Sequence, residues 1–373
     1  MDFAFTEEQQ AVQDLATQIL DGQLGHEALK EFEEGGEPYD TKTWGEFAKS
    51  GLLGIALPED AGGAGLGFLS AALVLEQIGR TVAPIPYLAT VVLGALPVAE
   101  FGTDEQRKSL LAPVIEGESI LTAALVEFGT PPTRPTTTAK REGDGWRLEG
   151  TKICVPSGLQ ASRILVPAAT GEDTVGVFVV DPGADGVEQE ALETTSGQPE
   201  TRLDLSGVVV GADEVLGDPG GGAAIVEWIA ERATAALCAT AIGVCAEALR
   251  LTAEYTKTRE QFDRPIATFQ AVSQRAADAY IDTEGVRLTA WQAAWRLHEG
   301  LPATEHVAIA KFWTADGGQR VVHAATHLHG GVGVDRDYPL HRYFLLAKQL
   351  ELTLGGATSS LLRLGAMLAA EPA

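Results

Sequence analysis

Apolar positions along this chain change their spacing twice, and the two changes divide it into three stretches. Up to about residue 115 the spacing is close to 3.6, the helical period. Thr6 and Gln9 stand at capping-box separation before the run Ala11, Val12, Leu15, Ile19 and Leu20. Thr103 and Gln106 repeat that signal before Leu110, Leu111, Val114 and Ile115. Between them, Phe68 to Ile78 has the apolar spacing of a buried helix, after a loop at Gly62-Gly63-Ala64-Gly65. From about 120 to 215 the spacing drops to near 2, the strand period. Asp144-Gly145 ahead of Trp146-Arg147-Leu148 predicts a hairpin. Arg163 to Val166, Val175 to Val180 and Leu203 to Val210 predict strands.

Beyond the loop Pro219-Gly220-Gly221-Gly222 the helical period returns in longer runs. Four helices are expected, at Ala223 to Arg259, Phe269 to Leu297, Thr304 to Thr326 and Leu340 to Ala369. Short connections between them predict a four-helix bundle. The block order of helices, strands and helices points to the α+β class with segregated domains rather than an alternating sheet. We place these as an N-terminal α-helical domain (1–118), a small middle β domain (119–218) and a C-terminal bundle (219–373). No glycine-rich turn follows a strand and opens a helix, so a dinucleotide would have to be bound by something other than a Rossmann turn.

Composition narrows the function classes. An apolar share of 45% with 21% charged residues is that of a soluble globular protein. No uninterrupted 18-residue apolar span is present, so no membrane insertion is expected, and no signal peptide is apparent. The net charge of −25 would repel nucleic acid, and no basic cluster offsets it. An anionic substrate would need local positive charge at its site. Cys154, Cys238 and Cys245 have neither C-x-x-C nor metal-ligand spacing; Cys238 and Cys245 stand seven residues apart on one apolar helix, as buried free thiols do, which suits a reducing cytoplasm.

The candidate chemistry lies in the last stretch. His327-Leu328-His329-Gly330-Gly331-Val332-Gly333-Val334 closes an apolar helical run and opens the polar turn Asp335 to Pro339. Adjacent glycines there can be a helix C-cap alone, but they also let a phosphate or another backbone reach main-chain N–H groups. Upstream stands Arg259-Glu260-Gln261-Phe262-Asp263-Arg264-Pro265, followed by Phe269-Gln270. Taken singly, Arg259 offsets a helix dipole and Gln270 is a solvated helix residue. His323, His327 and His329 lack a carboxylate or thiol partner at ligand spacing, so no metal site is expected.

In order and spacing these segments resemble the acyl-CoA dehydrogenase family, whose pattern is R-x-x-F-G-x-x-(I/L)…Q, then Q-x-h-G-G-x-G, then Y-P-L-x-R-x-x-R. The last reads here Tyr338-Pro339-Leu340-His341-Arg342-Tyr343-Phe344. The likeness extends from Asp2-Phe3-Ala4-Phe5-Thr6-Glu7-Glu8-Gln9 through Gly51-Leu52-Leu53-Gly54-Ile55-Ala56-Leu57-Pro58-Glu59 to the C-terminal helix. It implies the acyl-CoA dehydrogenase fold, FAD as cofactor, an acyl-CoA substrate and an electron-transfer acceptor. It further implies that Arg259 meets the pyrophosphate, that Phe262 packs near the flavin and that Gln270 makes polar contacts. Gly330 and Gly331 would let the adenine end pass close to the backbone, and His327 stands where the family has Gln.

In this family a glutamate takes the α-proton while the flavin accepts the β-hydride, and that base occupies one of two places. One lies seven residues before an Arg of the last helix, which is Gly356 here, counting from Arg363. The other lies 26 residues before the Arg of R-x-x-F, which is Ala233. Glu231 stands two residues early, a rotation of roughly 200° on a helix, and Glu351 more than a turn early. The flavin-facing K-x-W-I-T reads Lys152-Ile153-Cys154-Val155-Pro156, and the preceding E-P-x-A-G-S-D loop is replaced by Glu127 to Thr133. What a subunit uses for its own flavin ring and substrate is missing, while what it gives to a neighbour's flavin is present. The resemblance therefore implies the non-catalytic partner in an α2β2 assembly with a paralogous subunit, of the kind actinobacteria use on steroid side chains. Two alternatives stay open: a homotetrameric dehydrogenase with Glu231 or Glu351 as a relocated base, and a flavin-free acyl-binding scaffold.

Overall fold

The structure, a computed structural model, describes residues 4–370; Asp2 and Phe3 of the N-terminal motif lie outside the described residues. The first helices are α1 (Glu7–Gln23), α2 (His26–Gly35), α3 (Thr41–Lys49) and α4 (Gly67–Thr81). A π-helical stretch at Leu88–Ala95 runs into α5 (Leu96–Phe101), and α6 (Asp104–Ile115) follows. The strands are β1 (Leu121–Ala123), β2 (Thr138–Glu142), β3 (Gly145–Pro156), β4 (Arg163–Ala169), β5 (Val175–Val180), β6 (Val187–Leu192), β7 (Glu200–Val210) and β8 (Val215–Leu216). Then come α7 (Gly222–Thr258), a hairpin of β9 (Glu260–Gln261) and β10 (Arg264–Pro265), and α8 (Gln270–His298). The chain ends with α9 (Thr304–Phe312), α10 (Gly318–His329), α11 (Leu340–Leu352) and α12 (Ala357–Ala370).

The chain packs as two compact units, Met1–Gly35 with Phe68–Ala83 and Thr234–Ala373, and Gly36–Gly67 with Pro84–Ala233. Both capping boxes form as the sequence predicts. Thr6 and Gln9 exchange hydrogen bonds of 3.0 and 3.2 Å, and so do Thr103 and Gln106.

In the first unit the core helix is the part of α7 from Thr234 onward, Ala-rich and without a charged side chain up to Ala246. Over an 18-residue window it is apolar enough to cross a membrane by length and composition, and 72% of that window is buried inside the protein. Helices α4 and α7 cross at backbone distance, because a Cβ on Gly79 would lie 1.9 Å from the Thr240 carbonyl oxygen. A Cβ on Gly243 would lie equally close, 1.9 Å, to that of Glu76. The helix expected at Thr304 to Thr326 runs on to His329 and contains a π-helical turn at Trp313–Gly317. Trp313 lies against Gly285 of α8, where a Cβ would sit 2.6 Å from the indole. The helix expected at Leu340 to Ala369 is broken into α11 and α12, since Leu354 (φ 57°) and Gly355 (φ 108°) leave the helical region.

In the second unit the sheet has the order β6-β7-β3-β2-β4-β5-β8, with β1 beside β4. The β2–β3 hairpin turns on Gly143-Asp144, one residue before the expected dipeptide, because Glu142 pairs with Gly145. Gly143 takes φ 58° at the first loop position, which glycine adopts without strain. Strand β7 alternates buried and exposed residues as period 2 requires, while all of β5 is buried, so it reads as an apolar run. Strands β1, β6 and β8 have no periodic signal long enough to be read from the sequence.

Candidate functional site

The last turn of α7 closes with the Arg259 N–H donating to the Tyr255 carbonyl at 2.8 Å, and the Arg259 carbonyl accepts from Ile266 N–H at 2.8 Å. These bonds fold residues 260–265 into the β9–β10 hairpin. Its two loop residues, Phe262 (φ 56°) and Asp263 (φ 61°), both lie in the left-handed region that such a turn demands. Asn-Gly is the usual solution; a phenylalanine there is strained, and its ring is 87% exposed. Phe262 meets Phe269 edge-on at 6.0 Å, and the Arg264 guanidinium lies 4.2 Å above the Phe269 ring. Phe269 caps α8, so Gln270 opens that helix with its side chain exposed. Arg259, Arg264 and Gln270 thus surround one exposed turn, and Arg264 is a second cation that the sequence pattern did not single out.

Helix α10 ends on Gly330, whose φ of 63° and ψ of −138° are open only to glycine, and its N–H donates to the His327 carbonyl. Gly331 is different. Its φ is not positive and a Cβ there would meet nothing within 4 Å, so the chain's own packing does not require glycine at this position. An open glycine backbone is the geometry that admits a phosphate-bearing group from outside. His327 is exposed on the same last turn. The turn is docked on α7 by His329, buried at 3% exposure, which stacks on Tyr255 at 4.4 Å and 23°. His329 Nδ1–H donates to the Ala325 carbonyl at 2.8 Å, leaving Nε2 to accept from the Tyr338 hydroxyl at 3.2 Å. Burial pushes this imidazole below its ordinary pKa. His329, weighed in the sequence only as a metal ligand, thus joins Tyr255 and Tyr338; residues so far apart in the chain carry no shared sequence signal.

Gly356 lies in the break between α11 and α12, with no neighbour closer than 3.9 Å to a Cβ built on it. The end of α11 is held by Lys311, 2% exposed, whose ammonium donates to the Leu350 carbonyl at 2.5 Å and the Glu351 carbonyl at 3.3 Å. The Glu351 carboxylate is ion-paired with Lys348. In the other unit Ala233 is 1% exposed, and Glu231 is half-buried two residues before it. Among the described residues, no three His, Cys, Asp or Glu side chains are grouped to hold a metal ion.

On β3 the residues from Lys152 to Pro156 are engaged within the fold. Lys152 is fully buried and pairs at 2.6 Å with Glu127, whose side chain is 3% exposed. Glu127 also accepts from the Thr136 N–H at 2.5 Å, the Thr136 hydroxyl and the Thr137 N–H at 3.2 Å. Burial would raise this carboxyl, but the Lys152 charge and these bonds overturn that and hold it at about 2. Cys154 sits at φ 51° where the strand breaks register, and burial together with Glu200 pushes its thiol up to about 11. Pro156 brings no N–H, and its carbonyl accepts from Thr122 Oγ1 at 2.7 Å.

Comparison with known proteins completes the picture. The acyl-CoA dehydrogenase N-terminal domain matches residues 6–118 and the C-terminal domain residues 220–367. Acyl-CoA dehydrogenase FadE27 of Mycobacterium tuberculosis is 42% identical over 100% of both chains. A chain of the ChsE4–ChsE5 complex from Mycobacterium tuberculosis superposes with TM-score 0.94 at 43% identity, covering 100% of both chains. A chain of a Tcur3481–Tcur3483 steroid ACAD variant does so with TM-score 0.90 at 46% identity, covering 97% of this chain and 98% of that one. These matches establish that the chain belongs to the acyl-CoA dehydrogenase family.

Proposed function

We propose that this chain is the non-catalytic subunit of a hetero-oligomeric, FAD-dependent acyl-CoA dehydrogenase acting on a steroid side-chain thioester. A paralogous partner, in an α2β2 assembly, carries the glutamate base. The observation behind this reading is a contrast within one chain: an exposed, open rim at Arg259, Phe262, Gln270, His327, Gly330 and Gly331, against Gly356 and Ala233 where a base would stand. Its likeness to chains of the ChsE4–ChsE5 and Tcur3481–Tcur3483 complexes supports a paralogous partner, and the latter's description as a steroid ACAD supports the substrate class. Three free cysteines agree with a cytoplasmic location.

FAD, when bound, accepts the hydride leaving the β-carbon. This chain's residues act at its far end. Arg259 presents a planar, permanently charged fork to the pyrophosphate, and Gln270 and His327 offer neutral hydrogen bonds beside it. Gly331, with open space where a Cβ would stand, would let the adenine side pass close to its backbone, and Phe262 would cover apolar surface near the ring. Glu351, the relocated base of the alternative reading, is ion-paired with Lys348. Co-expression with the paralogue tests the proposal: the complex should purify with FAD and reduce a dye with the acyl-CoA, and this chain alone should do neither. Turnover by the isolated chain would restore the homotetrameric reading, and a complex without flavin would favour the scaffold.

A further inference from the structure

The Gly330-Gly331 turn and Arg259 belong to separate segments, yet both must face one cofactor at fixed spacing. Arg259 is tied to Tyr255 through the last α7 hydrogen bond, of 2.8 Å. His329, the residue before Gly330, lies flat on the Tyr255 ring. Tyr338 closes the cluster, 6.3 Å from the Tyr255 ring and 5.1 Å from that of His329. We propose that Tyr255, His329 and Tyr338 are positioning residues that hold the glycine turn in register with Arg259, so that FAD retention depends on a neutral His329 ring. This rests on the reading that the chain contributes to an FAD site.

The dependence on charge follows from the hydrogen bonds. With Nδ1–H committed to the Ala325 carbonyl, Nε2 accepts from the Tyr338 hydroxyl only while unprotonated. Protonation makes Nε2 a donor, so the Tyr338 hydroxyl must reverse and accept, and it places a charge in a site 3% exposed. Among the described residues, burial and the Ala325 carbonyl are what act on the ring; Tyr255, Glu254 and Arg250 of α7 act on Tyr338, and the Tyr255 ring covers the face of the imidazole. Acidification therefore loosens the turn from α7 and shifts Gly331 relative to Arg259.

The test measures FAD dissociation from the co-expressed complex between pH 4.5 and 8, a window reaching below the ordinary imidazole range because burial lowers the His329 pKa, by the rise in flavin fluorescence on release. The unaltered complex should lose about tenfold in FAD affinity toward the acid end, the scale of one buried hydrogen bond. His329→Phe keeps the ring on Tyr255 and should flatten that profile. His329→Ala should weaken FAD about tenfold at every pH. The flavin-free His329→Phe complex should still fold, with a thermal midpoint lowered by about a few degrees for the two hydrogen bonds it loses. A profile that stays pH-dependent in His329→Phe, or a His329→Ala complex with unaltered affinity, overturns the inference. Arg259→Ala separates the two levels: if it leaves FAD binding intact, the underlying reading fails, and if only the His329 variants are silent, the positioning role alone fails.

Discussion

Two regions carry the motifs of the acyl-CoA dehydrogenase family, and they treat their polar residues in opposite ways. On β3 and the segment before it, Lys152, Glu127, Thr136 and Pro156 are consumed by internal contacts, and the Lys152–Glu127 pair is among the most buried charge in the chain. At the end of α7 and around the Gly330 turn, Arg259, Phe262, Gln270 and His327 are exposed, and Gly331 answers to no internal contact. A residue the fold does not need for packing, held at a strained turn or an open backbone, has to be explained by what it meets from outside. A residue locked inside the sheet needs no such explanation.

The largest expected effect breaks the first region. Lys152→Met leaves the Glu127 carboxylate buried without its counter-charge, and about 3–5 kcal/mol of stability should go, read from urea unfolding. Because the folded carboxyl is held at about 2 against an ordinary 4.5, the stabilisation is complete above 4.5 and lost as pH falls toward 2. Glu127→Gln should remove that acid limb, and an acid limb identical in the variant would show that the pair does not set it.

The second region should respond without unfolding. Gly331→Ala has open space and an ordinary φ, so urea unfolding should move by less than about 0.5 kcal/mol. FAD affinity of the hetero-oligomer should nevertheless fall, by about tenfold, if a ligand passes over that backbone. Unchanged flavin content would assign Gly331 to a helix end and nothing more. The smallest effect is expected at Gly356, where a side chain also fits. Gly356→Glu should leave unfolding within about 0.5 kcal/mol and should not give the isolated chain dye-reducing activity. On the proposed reading, with Cys154 and Pro156 where the family's pattern has Trp and Thr, a base alone would not assemble a site. Turnover by that single variant would mean that the missing glutamate was the sole deficit.

Much of this was open to reading in advance. The capping boxes at Thr6 and Thr103, the apolar α7 and the alternation of β7 follow from local chemistry, which acts within a few residues. The site segments were legible because each is contiguous: Arg259 to Gln270 and His327 to Gly331 keep their spacing whatever the rest of the chain does. What escaped was long-range or strain-dependent. The break between α11 and α12 depends on Leu354 at φ 57°, a conformation leucine rarely adopts alone and that its surroundings impose. The π-helical turn at Trp313 likewise answers to packing on Gly285 rather than to its own composition.

The sequence by itself determined the helix–strand–helix order, the family, and the absence of a carboxylate at Gly356 and Ala233, since spacing and residue type are properties of the chain read in one dimension. Only the tertiary structure decided which motif residues the fold consumes and which it leaves outside. It set Lys152 against Glu127, Arg264 over Phe269, and His329 between Tyr255 and Tyr338. Those pairings join residues whose separation in sequence carries no periodic signal, and burial and close approach, which only folding creates, are what give them their strength.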